Sequence, residues 1–132
     1  MTPEVIQPAG WPRPSGYANA VVAEGRLLFI AGQIGWDAEG RFHSDDFVAQ
    51  ARQALQNVLT LLQAAGAAPE HLVRMTWYVT DRQEYLRRAK ELGAAYRELL
   101  GSVYPAMTAV EVSALIEDRA RVEIECTAVI PG

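Results

Sequence analysis

The spacing of apolar residues changes period along the chain and marks out the elements. From residue 17 it falls into strand-length runs, 17–23 and 26–32 (RLLFIAG), separated only by Glu24 and Gly25, which predicts a β-hairpin. From Phe47 the period becomes helical, with Phe47, Ala51, Leu55, Val58, Leu62 and Ala65 on one face. Ser44 is the expected N-cap, Asp45 and Asp46 suit the positive end of that helix, and Gly66 supplies its stop. Residues 73–80 (VRMTWYVT) are β-branched and aromatic and predict a third strand. Asp81 and Glu84 have the spacing of a capping box, opening a second helix along Tyr85, Ala89, Leu92, Tyr96 and Leu99 that Gly101 ends. Strands over 106–114 and 121–130 complete a ββαβαββ order. Residues 1–16 hold four of the seven prolines and are expected to form an extended arm.

Two amphipathic helices cover one face of such a sheet, which gives a single α+β two-layer domain over residues 1–132. The other face is also apolar. In 26–32 Leu27, Phe29 and Ala31 oppose Leu28 and Ile30, and in 73–80 Met75 and Trp77 oppose Tyr78. Strands apolar on both faces are normally covered on both, and no chain is left over to cover this one, so self-association is expected.

Composition narrows the function. Sixteen acidic against twelve basic residues give a net charge of −4, ill suited to a phosphate backbone, so nucleic acid is not an expected partner. No apolar run approaches the ~20 residues of a membrane span, and residues 1–10 lack a signal peptide's basic-then-apolar order. One cysteine, Cys126, builds neither an intrachain disulfide nor a CxxC site, which fits a reducing cytoplasm; its parity with Val122 and Ile124 predicts a buried thiol. His43 and His71 have no metal-ligand spacing, and no P-loop, GxGxxG or GxSxG is present, so neither a metal nor a cofactor is expected.

The Gly16-Tyr17 pair, FIAGQI (29–34), VTD (79–81), YPA (104–106), VEV (110–112) and VEIE (122–125) fall in the order and spacing of the Rid (YjgF-type) family, the reactive-intermediate imine/enamine deaminases, which the chain resembles over nearly all its length after Gly16. The resemblance implies a chorismate-mutase-like fold, a homotrimer, and a small-molecule cleft at each subunit interface. It implies hydrolysis of small enamines and their imine tautomers, such as 2-aminoacrylate, to a carbonyl compound and ammonia. Residue by residue it makes Tyr17 a cleft-lining phenol, Gly32 a point of close backbone approach, and Glu123 the water-orienting carboxylate.

One position departs from the pattern. Directly after the Pro-Ala step the best-known members carry an arginine that holds the substrate carboxylate through two parallel hydrogen bonds. Here it is Met107, and nothing from Ala106 to Ile116 is cationic. The expected activity is therefore on an enamine or imine not clamped in that way. The alternative is a non-catalytic trimeric binding or regulatory module that keeps the same cleft. A ribonuclease activity attached to relatives of the family sits poorly with the acidic charge.

Strand parity places Glu123, Glu111 and Glu125 away from the helix-covered face, where carboxylates need partners or raised pKa values. Glu123 is the expected catalytic residue, whereas Glu111 and Glu125 are expected to be structural. Tyr17, Gly32, Met107 and Trp36 are the expected substrate-binding positions, Trp36 as a wall beside the turn at 32–35. Trp77 is expected in the core.

Overall fold

A computed structural model describes residues 3–132. Its elements are β1 (Glu4–Ile6), β2 (Ala20–Val22), β3 (Arg26–Ile34), α1 (Phe47–Ala64), β4 (Leu72–Val79), α2 (Arg82–Arg87), α3 (Ala89–Leu100), β5 (Ala106–Glu111) and β6 (Val122–Ile130), with a single 3-10 turn at Pro69–His71 before β4. The main sheet has the order β3-β6-β4-β5. Strand β6 lies antiparallel to both β3 and β4, while β5 runs parallel to β4 after the chain crosses over through α2 and α3. A crossover of that length is what a parallel neighbour requires.

Helices α1 and α3 cover one face. Alternation decides which residues meet them: Val122, Ile124, Cys126 and Ala128 of β6 and Met75, Trp77 and Val79 of β4 are all buried, with Leu55, Val58 and Leu62 of α1 opposite. Burial there pushes the Cys126 thiol up to about 12, so it is protonated and inert at neutral pH. On the other face Leu27 and Phe29 are 62% and 72% exposed, alongside Arg74, Tyr78 and Glu125.

Four local expectations are corrected. The 17–23 and 26–32 runs do not form a hairpin: β2 pairs with β1, and β3 pairs with β6 from Arg26↔Ile130 to Ile34↔Glu123. Gly25, at φ 150°, is so close to the Ile130 backbone that a Cβ would collide with it, so the chain leaves the turn already seated on β6. The arm is extended over residues 4–6, which form β1, but not throughout, because the chain turns after Pro8, where the Trp11 N–H donates to the Pro8 carbonyl; its first two residues lie outside the described chain. The N-cap of α1 is Asp46, whose carboxylate accepts from the Ala49 N–H, while Ser44 Oγ accepts from the Asp46 N–H one step earlier.

The second predicted helix is two helices broken at Arg88 (φ −100°, ψ 14°). The Arg88 guanidinium bonds Glu91 in α3 and Asp46 at the α1 N-terminus, and these charged hydrogen bonds hold the Asp46 carboxyl below its usual range. The capping residue Asp81 is as expected, accepting from the Glu84 N–H.

Candidate functional site

Glu123 sits in β6 opposite Ile34 of β3 and Tyr78 of β4, half-buried on the face without helices. The β3–β6 register slips between Ile30 and Gln33, a bulge that contains Gly32. Bulges of this kind re-aim backbone and side chains beside functional sites. Here the glycine is what lets the carboxylate lie flat on the strand, because a Cβ on Gly32 would overlap the Glu123 carboxyl group. The neighbouring carboxylates are engaged as expected of structural groups. Glu125 accepts from the Tyr78 hydroxyl at 2.5 Å, and Glu111 Oε1 accepts from the Arg82 N–H at 2.7 Å, helping to start α2. Glu123 is the one of the three without a bonded partner among the described residues.

Two amides, Asn57 half-buried and Gln50 buried, fix the segments around it. Asn57 Nδ2 donates to the Ile34 and Trp36 carbonyls, at 3.2 and 2.8 Å, and so holds the end of β3 to α1. Gln50, 1% exposed, donates to the Ser44 and Arg119 carbonyls and accepts from the Arg121 N–H. That ties the loop leading into β6 to the first turn of α1. Trp36 lies two residues past Ile34, with its ring 5.9 Å from Phe42, over which the Arg119 guanidinium sits at 5.3 Å. It shields the turn beside the Glu123 end of β6.

Met107 and Tyr17 are elsewhere in the protomer. Met107 pairs with Met75, so it faces the helices and packs against the core. Two strand spacings and three residues separate it from Glu123, ~14 Å between backbones, and the two side chains are on opposite faces. Tyr17, 41% exposed, is next to the contact in which the Ala18 N–H donates to the Pro105 carbonyl at the start of β5. One protomer thus brings Glu123 together with Gly32, and Tyr17 near the β5 start, but it does not bring the two groups to each other.

Met107 forms part of the wall of a cavity of about 350 Å³ between β5 and the α2–α3 bend, with Trp77, Tyr85, Gly93, Tyr96 and Arg97. Tyr96 closes the inner side, donating to the Val103 carbonyl at 2.6 Å and stacking on Tyr104 at 5.2 Å. Sequence reading assigned Tyr85 and Tyr96 to the apolar stripe of a helix and Trp77 to the core. Trp77 is indeed buried, and the break at Arg88 is what turns this stripe into a cavity wall. Among the described residues, no three His, Cys, Asp or Glu side chains are grouped to hold a metal ion. No described helix is long and apolar enough to cross a membrane.

Comparison with known proteins accounts for the architecture. The sequence model of the family described as Endoribonuclease L-PSP matches residues 12–130. A RutC family protein of Pyrococcus horikoshii is 36% identical over 126 residues, 95% of this chain and 96% of that protein. The human 2-iminobutanoate/2-iminopropanoate deaminase is 33% identical over 127 residues, 95% of this chain and 88% of the relative. A crystal structure of a conserved Rid-family protein from Yersinia pestis superposes with a TM-score of 0.86 at 33% identity, covering 98% of this chain and all of that one. Sequence and fold agree along almost the whole length, and the chain is a member of the Rid (YjgF/RutC) family with its chorismate-mutase-like α+β fold.

Proposed function

We propose that the protein hydrolyses a small enamine, through its imine tautomer, to a carbonyl compound and ammonia. The observation that carries this reading is Glu123, a half-buried carboxylate without an internal partner, laid over a glycine that leaves it room. The family places its water-orienting glutamate there, and relatives that cover most of this chain are named as imine deaminases. Glu123 takes a proton from water as the water oxygen bonds to the imine carbon, and the C=N π pair goes to nitrogen. Return of that proton to nitrogen gives the carbinolamine, and transfer of its hydroxyl proton to nitrogen, again through Glu123, lets the C–N bond break, so that ammonia leaves as the carbonyl forms. Holding water and imine at contact distance supplies much of the acceleration, so the site needs few groups.

Assembly completes the site in this reading. Glu123 and Gly32 lie toward the β3 edge and Met107 toward the β5 edge, on opposite faces, so one substrate touches both only where two copies meet. A homotrimer burying Leu27 and Phe29 provides such clefts and covers the open face. Phe29→Glu is expected to yield a monomer by light scattering at micromolar concentration, with loss of turnover. A wild-type protein that is itself monomeric there would remove the cleft from the mechanism.

Met107 governs selectivity. A bidentate guanidinium on a carboxylate is worth about 1.5–3 kcal/mol, so 2-aminoacrylate should react roughly ten- to hundred-fold more slowly than in an arginine-bearing relative. Met107→Arg is expected to recover a comparable factor in kcat/KM on that substrate. No gain would show that the carboxylate is held elsewhere. Met107 also favours the second reading, a trimeric module that binds a small molecule without turning it over. Ammonia release from freshly generated enamines, varied in chain length and charge, separates the two readings.

A further inference from the structure

The cavity above Met107 has the makings of an anion site of its own. Lys90 and Arg97, both exposed on α3, line it, and neither has a carboxylate partner among the described residues. Gly93 lies one turn before Arg97, and a Cβ there would stand 3.2 Å from the Arg97 Nη1, so the missing side chain is the space into which the guanidinium folds. Trp77 is 4% exposed and forms part of the cavity wall as apolar surface; its indole N–H, which has no hydrogen-bond partner, is closed off from the cavity as it is from solvent.

The geometry points to a displaced anion clamp: Arg97 and Lys90 hold the carboxylate of a substrate larger than 2-aminoacrylate, an aromatic or long-chain 2-imino acid, with Trp77, Tyr85 and Met107 as the apolar walls. The cavity lies in the range of about 300–1,000 Å³ typical of small-molecule sites, far more than a three-carbon acid fills. Here the thioether is the complement of an apolar substrate chain instead of a lost contact. This assignment rests on the hydrolase reading for the chemistry but not for the binding.

Calorimetric titration of the intact protein with phenylpyruvate, the stable carbonyl counterpart of an aromatic imino acid, tests it. Wild type is expected to bind phenylpyruvate at least tenfold tighter than pyruvate. Arg97→Gln combined with Lys90→Gln should weaken phenylpyruvate tenfold or more and leave the uncharged phenylacetone unaffected. The indole N–H resonance of Trp77, assigned by its loss in Trp77→Phe, should shift on binding. Absence of phenylpyruvate binding, or unchanged affinity in the double variant, overturns the clamp. Ammonia release from enamines with binding insensitive to Arg97 and Lys90 retires the clamp and leaves the hydrolase standing. Binding that depends on both residues without any ammonia release does the reverse.

Discussion

Glu123→Gln is expected to lower turnover by ~100- to 10,000-fold while the melting temperature and the assembly stay those of wild type. The amide is nearly isosteric, so it fits the space over Gly32, but it has no capacity to take a proton from water. Stability should hold because the carboxylate has no bonded partner within the protomer to lose, unlike Glu125 with Tyr78 or Glu111 with Arg82. Ammonia-release kinetics and thermal unfolding on the same preparation decide the matter. Should turnover stay normal while the assembly loosens, Glu123 is an acceptor for a donor across the interface, and the binding-module reading moves ahead. Gly32→Val approaches the same point from the other strand, since its side chain would evict the carboxylate.

The largest effect on stability is expected at Gln50. Replacing it with leucine roughly keeps the volume but removes three bonds, leaving the Arg121 N–H and the Arg119 and Ser44 carbonyls without their partner in a part-buried setting. With a penalty of about 1–3 kcal/mol for each group that water does not reach, a total of roughly 2–5 kcal/mol is expected. For a chain of this length that is a fall in melting temperature on the order of 10 °C or more. The close approach of Gly35 to the Gln50 Cβ leaves no slack for the branched side chain to move into. Calorimetry showing a change of only one or two degrees would mean that water takes over the bonds and that the loop into β6 is held by other contacts, such as the Arg119–Asp45 ion pair.

Much of this molecule was legible before its structure. Periodicity located α1 and strands β3 to β6 because a face that must be buried repeats its apolar residues at the period of its own backbone. The same parity argument put Cys126 inside and Glu123 and Glu125 outside the helix layer, but it misplaced Glu111, which pairs with the buried Val79 and so shares the helix-covered face with Met107. The break at Arg88 was invisible to it, since the apolar stripe continues through the bend and the cause is a guanidinium bonded to a carboxylate 42 residues earlier. Cap assignment failed by two residues for a similar reason: Ser44 and Asp46 are equally good cap chemistry, and their geometry makes Ser44 the support and Asp46 the cap.

What the sequence determined by itself is the set of elements, the face each buries, the uncovered apolar face, and through six short motifs the family. Strand order was left to the tertiary structure. A two-residue link between strand-like runs favours a hairpin locally, yet β3 gains a nine-residue partner in β6 where β2 offers three residues. The longer ladder prevails because it satisfies more backbone groups and seals the core. Tertiary structure alone also decided that Glu123 meets Gly32, 91 positions away in sequence, and that Met107 shares a cavity with Trp77 and Arg97. Spacing along a chain carries the period of one element, whereas a site is made where different elements bring their faces together, and that depends on which strands pair.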